Sequence, residues 1–305
     1  IPVEGIGQLL ETVFSIWGRE DVQEVSIELN PEDVTHDYIQ ALLKLGVTRI
    51  SLGVQSFLEE ECRFLGRGHT VEQSRLALKI LQDFDVEFSL DLIYALPEST
   101  VDSLACSVEE ALGYHPHHIS CYSLTIEPGT PFHKRHIAKA DSDMDYQQFT
   151  YLQERLGDAG YHHYEISSFA KQGYESKHNM RYWHFEDYIG IGLGAHSLLG
   201  SSRYSNQTVL KQYLADSTPL FFKDGFQPLD QYELILEHII ANFRIRRGIV
   251  FLDYFTRYGI DFEHDYREPL KALAEQGLVL ISKIGVQPTA RGWCVLDDVC
   301  AVFIR

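Results

Sequence analysis

Three short alternating runs of the chain each end in a side chain that accepts hydrogen bonds: Glu28 in VSIELNP (25–31), Gln55 in ISLGVQSF (50–57) and Asp91 in FSLDLIYALP (88–97). A guanidinium, Arg67 in FLGRGHT (64–70), follows the second run. Carboxylate and amide oxygens suit ribose hydroxyls or an ammonium group, and arginine can hold a carboxylate through two parallel bonds. Taken singly, each is open to a structural reading, a salt-bridged arginine or a satisfied strand-end polar group. Four together point to a pocket for a polar cofactor.

The runs that position them have a period of two. Val25, Ile27 and Leu29, Ile50, Leu52 and Val54, and Phe88, Leu90 and Leu92 fall on one face. Ser26 and Glu28, Ser51, Gly53 and Gln55, and Ser89 and Asp91 fall on the other. Strict alternation predicts strands. A strand covered on both faces would be apolar on both, so the small and polar face lines a wet interior. Glu28, Gln55 and Asp91 are expected at the C-terminal ends of neighbouring parallel strands, where barrel-like α/β folds bind ligands.

A second cluster, HNMRYWHFEDY (178–188), gathers His178, Tyr182, Trp183, His184 and Tyr188. Imidazoles can meet a metal or heme iron. Their spacing fits no standard zinc site, and hydrogen-bonded structural histidines are the alternative. The next segment, YIGIGLGAHS (188–197), has spaced glycines. A dinucleotide fingerprint would need a helix opening on the last glycine; none follows Ala195, which leaves a strand or turn where backbones approach closely. HPHH (115–118) reads as an exposed loop.

Helices are expected at 5–17, 35–45 with Thr35 as cap, 58–64, 71–84 with Leu76, Ala77, Ile80, Leu81 and Phe84 inward, 100–112 and 142–159. Between them lie strands at 23–29, 49–54, 86–93 and 117–124. Alternation of strand and helix predicts a parallel α/β sheet. Four strands leave an open edge, so further strands are expected from a missing N-terminal part, the chain starting at Ile1 in helical rhythm. Residues 160–200 are aromatic, Gly-rich and weak in helical period. Three helices (229–243, 251–259, 266–277), a hairpin (278–292) and a last helix (293–304) predict a C-terminal helical, winged-helix-like module. Arg267 and Lys271 stand beside Glu268 and Glu275, which favours a structural or interaction role over DNA binding. The domains are therefore drawn as 1–224 and 225–305.

The net charge of −18 argues against nucleic acid as a partner. No apolar run reaches the roughly 18 residues of a membrane span, and no signal peptide is visible. Cys62, Cys106, Cys121, Cys294 and Cys300 have no metal-ligand spacing and read as reduced thiols of a cytoplasmic protein.

In order and spacing, SIELNP, RISLGVQSF, LGRGHT, DLIYALPEST and YSLTIEPGTPF resemble radical S-adenosylmethionine proteins of the coproporphyrinogen oxidase group. HNMRYW followed by DYIGIGLGAHS is similar to the heme-chaperone branch of that group. True oxygen-independent coproporphyrinogen III oxidases carry a QGYTT-like stretch there. The resemblance implies a partial, TIM-like (β/α)6 barrel, incomplete here, with S-adenosylmethionine and a 4Fe-4S cluster as cofactors and heme as cargo for heme-accepting proteins. It implies S-adenosylmethionine contacts at Glu28, Gln55, Arg67 and Asp91, and it points to His178 and Tyr182 for heme. It allows a homodimer and peripheral contact with membrane heme proteins. The family binds its cluster through CxxxCxxC and follows it with GGTP. Neither is in this chain, so the cluster belongs to an intact parent and no radical chemistry is expected of these residues alone. Ala95 stands where the family usually has Gly. The alternative function is oxidative decarboxylation of coproporphyrinogen III.

Overall fold

The structure is a computed structural model that describes residues 1–138, 140–215 and 227–304. The chain packs as two compact units, Ile1–Lys177 and His178–Arg305. The domain boundary expected at 224/225 falls outside the described residues.

The first unit is built on a six-stranded sheet in the order β1-β2-β3-β4-β6-β5. The strands β1 (Ser26–Leu29), β2 (Arg49–Gln55), β3 (Glu87–Tyr94) and β4 (His118–Ser123) run parallel. A short hairpin, β5 (His162–Glu165) and β6 (Ser168–Ala170), joins antiparallel to β4. The helices are α1 (Val3–Trp17), α2 (His36–Leu45), α3 (Glu59–Phe64), α4 (Val71–Gln82), α5 (Val101–Gly113), α6 (Pro131–Lys134) and α7 (Ser142–Asp158). Their starts follow side-chain chemistry. The Thr35 hydroxyl accepts from the Tyr38 amide, and Thr70–Gln73 and Thr100–Ser103 form reciprocal capping boxes. Ile50, Leu52, Val54, Leu90 and Leu92 are at most 1% exposed. Fully burying each such side chain contributes about 1.5–3 kcal/mol, which is why the register cannot slip.

Several expectations need correction. The edge beyond β4 is covered by β6, a strand from the aromatic, Gly-rich segment 160–200. Leu76 lies outward, 56% exposed; Leu78 takes the inward place, because Val71, Ser74, Leu78 and Leu81 continue one helical stripe and Leu76 lies off it. HPHH is not an exposed loop throughout, since His118 opens β4 and is 2% exposed.

The second unit contains α8 (Lys177–Trp183, its first residue in the first unit), β7 (His196–Leu199), β8 (Ser202–Ser205), α9 (Leu210–Ala215), β9 (Gln227–Pro228) and α10 (Gln231–Phe243). It continues through β10 (Ile249–Val250), α11 (Phe251–Tyr258), α12 (Phe262–Asp265), α13 (Arg267–Glu275), β11 (Val279–Ile281), β12 (Gly285–Pro288), α14 (Ala290–Cys294) and α15 (Leu296–Ala301). The expected hairpin gains β10 as a third strand. The expected last helix is broken at Val295 (φ −129°, ψ 40°), where α14 ends and α15 begins. Tyr254, Phe262, Phe243 and Phe303 form its aromatic core, and the Trp293 indole N–H donates to the Phe243 carbonyl at 2.9 Å.

Candidate functional site

The polar sheet face is laid down by register. Glu28 pairs with Ser51, and Ser51 with Ser89; one pair further along, Asp91 faces Ser120. Asp91 thus sits inside β3, not at its end as expected. The Ser89 hydroxyl donates to Ser51 at 2.8 Å, and Ser51 donates to the Asp91 carboxylate at 3.0 and 3.2 Å. Burial pushes the Asp91 carboxyl up to about 6, against the hydrogen bonds from Ser120 and Ser51; the charge of Glu28 adds to the rise and Arg49 opposes it.

Gln55 and Arg67 meet at the C-terminal end of β2. A bulge between Leu52 and Gln55 shifts the β2–β3 register, and Gln55 takes a left-handed φ of 70°. A Cβ on Gly53 would lie 2.7 Å from Gln55 Nε2 and 3.4 Å from Arg67 Nη2, so only hydrogen at this position leaves room between them. Arg67 donates through Nη2 to Asn30 Oδ1 at 2.7 Å, while its buried Nε has no partner. A ligand carboxylate is the kind of group that such a guanidinium takes. The Gln55 amide and Arg67 guanidinium gathered over Gly53, the orphan Nε and the acceptors Glu28 and Asp91 fit a zwitterionic, ribose-bearing molecule such as S-adenosylmethionine.

Two further residues belong to this face: Arg49, not named from sequence, and His118, expected in an exposed loop. Arg49 is 4% exposed; it donates to the Tyr174 carbonyl at 3.0 Å, lies 3.5 Å from Glu87 and keeps a buried Nη2 without partner. His118 bonds the Tyr164 hydroxyl at 2.8 Å, and burial, with Arg49, pushes its pKa well down. The signal was present: both stand in phase with the polar face. A charge at a strand's first residue, however, reads like a solvated end.

The cysteines do not fit an iron–sulfur cluster. Cys62, Cys121 and Cys300 are buried in separate elements, and no group of three His, Cys, Asp or Glu among the described residues could hold a metal ion.

On α8, His178 Nε2 and the Tyr182 hydroxyl are 2.9 Å apart, with their rings perpendicular at 4.9 Å. Tyr188 meets Tyr182 edge-on at 4.6 Å. Burial, then Tyr188, raises the Tyr182 pKa. The helix ends where the Trp183 carbonyl accepts the Asn242 amide at 2.7 Å. His184 does not join His178; it lines a different cavity with His238.

The spaced glycines serve a close backbone approach. A Cβ on Gly190 would fall 2.1 Å from the His196 carbonyl oxygen. Asn206 Nδ2 donates to the Gly190 and Gly192 carbonyls at 3.1 and 2.7 Å, and the Gly190 amide donates to Ser197 Oγ at 2.8 Å. This held loop exposes Ile189, Ile191 and Leu193, at 46%, 71% and 45%.

No helix of the described residues is long and apolar enough to cross a membrane.

Residues 6–110 match the Radical SAM superfamily, and residues 229–295 match the HemN C-terminal domain. The fold is similar to that of the coproporphyrinogen III oxidase HemN from Escherichia coli, a radical SAM enzyme. That likeness has a TM-score of 0.79 at 23% identity and covers 99% of this chain and 74% of that one. A protein named heme chaperone HemW from Haemophilus influenzae is 36% identical over 307 residues, 99% of this chain and 79% of the relative. Another of that name from Bacillus subtilis is 32% identical over 294 residues, 93% of this chain and 76% of the relative. The superfamily implies S-adenosylmethionine and a 4Fe-4S cluster. With both domain types in sequence and such identity along nearly its whole length, the chain belongs to the HemW family of radical SAM proteins.

Proposed function

We propose that the protein binds heme and hands it to heme-requiring proteins. The observation that carries this reading is the cluster of an exposed His178 with half-buried Tyr182 and Tyr188, an imidazole beside two aromatic rings. Imidazole is a proximal iron ligand in many heme proteins, and flat apolar rings suit a porphyrin face. His178 is the iron ligand and Tyr182 orients it through their hydrogen bond. The relatives named heme chaperone support the same reading.

In the first unit, Arg67 holds the methionine carboxylate of S-adenosylmethionine, and Glu28 and Asp91 take its ribose hydroxyls or ammonium group. Gln55 serves either end. When bound, S-adenosylmethionine supplies a sulfonium group to the site. The described residues offer no ligand set for a cluster.

Heme titration of the chain with an optical readout tests the proposal. His178→Ala should weaken binding about tenfold or displace the Soret band, and Tyr182→Phe should shift the band less. Unchanged affinity and spectrum in both variants would reject the site. Conversion of coproporphyrinogen III by the protein would reject the chaperone reading.

A further inference from the structure

The second unit holds a polar cavity that heme ligation by His178 does not use. It measures about 250 Å³ and is lined by His184 and Glu186 just after α8, by α10 and by residues 245–257. His184, His238, Asn242 and Arg257 are the groups that give it its chemistry.

His238 is 5% exposed, stacked between Phe185 at 5.1 Å and Tyr254 at 4.6 Å. Its Nδ1 lies 3.1 Å from the Tyr258 hydroxyl, and the Arg257 guanidinium lies over the Tyr258 ring at 5.6 Å. A tyrosine hydroxyl can donate to a ring nitrogen. In the tautomer where Tyr258 donates to Nδ1, the imidazole proton is on Nε2 and is left to donate to the cavity. Burial keeps the ring neutral, with its pKa pushed down to about 3. His184 adds a buried Nε2 without partner. Asn242 holds the wall by donating to the Trp183 carbonyl.

The wall carries Glu186, Asp253, Arg247 and Arg257, and these do not all pair among themselves. Glu186 is paired with Arg181 at 2.6 Å and Asp253 with Arg247 at 2.9 Å. Arg257 donates to the Phe185 carbonyl at 3.1 Å and lies over the rings of Phe185 and Tyr258. It has no carboxylate partner among the described residues. One uncompensated guanidinium thus stands beside a neutral N–H donor, with two carboxylates near enough to repel a dianion.

We propose that this cavity binds a single carboxylate group, held by Arg257 and the Nε2–H of His238. Two sources share that chemistry: a free small carboxylic acid, or a propionate of heme. The second source rests on the heme reading above.

Calorimetric titration of the whole chain separates them, with butyrate, inorganic phosphate, heme and heme dimethyl ester as probes. The variants are Arg257→Gln, His184→Gln and His178→Ala, each checked by its melting curve. If propionate is the ligand, esterification weakens heme binding at least tenfold in the wild type and less than twofold in Arg257→Gln. If a free acid is the ligand, butyrate binding falls at least tenfold in Arg257→Gln and esterification of heme changes nothing. His184→Gln should lower the same affinity several-fold, and it decides the matter should Arg257→Gln melt early. Carboxylate binding indifferent to these substitutions, or phosphate binding more tightly than either carboxylate probe, overturns the proposal. Heme binding unchanged in His178→Ala rejects only the heme reading and leaves the butyrate result standing.

Discussion

Ser51 Oγ lies 3.0 Å from Asp91 Oδ2, so a hydroxyl on β2 donates to a carboxylate on the neighbouring parallel strand β3. Ser51 in turn accepts from Ser89, and Ser120 adds a further bond to Asp91. The carboxylate is well bonded yet still costly, because burial outweighs its donors.

The cost has a pH signature. The Asp91 pKa is raised from 3.8 to about 6 in the folded chain. The folded state thus holds the proton more tightly than the unfolded one, and the charged carboxylate lowers stability above pH 6. The penalty fades as pH falls from 6 toward 4. Asp91→Asn should therefore stabilise the fold by about 1–3 kcal/mol at pH 8 and by roughly half as much at pH 5. Urea unfolding at the two pH values checks this. A gain independent of pH would mean that Asp91 is not the titrating group.

His238 predicts the opposite limb. Its pKa is lowered from 6.5 to about 3, so the unfolded chain takes up its proton first. The stability held above pH 6.5 is lost as pH falls through that window toward 3, by up to about 3 kcal/mol at pH 4. His238→Phe keeps a stacked ring and should flatten this part of the stability–pH curve, read from melting temperatures of the second unit.

Gly53→Ala should weaken S-adenosylmethionine binding about tenfold, roughly 1.4 kcal/mol. The added methyl would displace Gln55 Nε2 from a position 2.7 Å away. Arg67→Ala should cost at least as much. Equilibrium dialysis gives the affinities, and heme titration of the same variants should be unaffected, since His178 and Tyr182 belong to the other compact unit.

Gly190→Ala cannot be accommodated without moving backbone, because its Cβ would sit 2.1 Å from the His196 carbonyl oxygen. The loop carrying Ile191 and Leu193 should loosen, with a loss of more than about 2 kcal/mol of stability. Hydrogen exchange should show the loss at residues 188–206 and leave β1–β4 protected.

The first unit was legible where a period governs burial. Leu52, Leu90 and the Thr35 cap follow from spacing and side-chain chemistry alone. The hairpin β5–β6 escaped notice because its strands are three or four residues long and bury His163 and Glu165, at 8% and 2% exposed. Nothing local tells a buried glutamate from a solvated one. The polar face carrying Glu28, Gln55 and Asp91 could be read from the pleat. The height of Asp91 within β3 could not, since parallel register depends on helices that pack from a distance. Gln55's left-handed backbone and the bulge beside it leave no mark in composition. His238 was passed over as one more helical residue, because its isolation from water is made by Phe185 and Tyr254, which lie far from each other in sequence.

The hairpin that covers β4 also bears on the order of assembly. β5 and β6 are joined by a tight connection, and a hairpin closes in about 1–10 μs. Each parallel pairing of β1 through β4 must instead wait for an intervening helix to bring distant segments together, the slow kind of contact. The latest sheet strands in sequence are therefore among the earliest to pair. They form a ready-made edge that docks once β4 exists, and substitutions in His162–Ala170 should slow folding chiefly through that docking step.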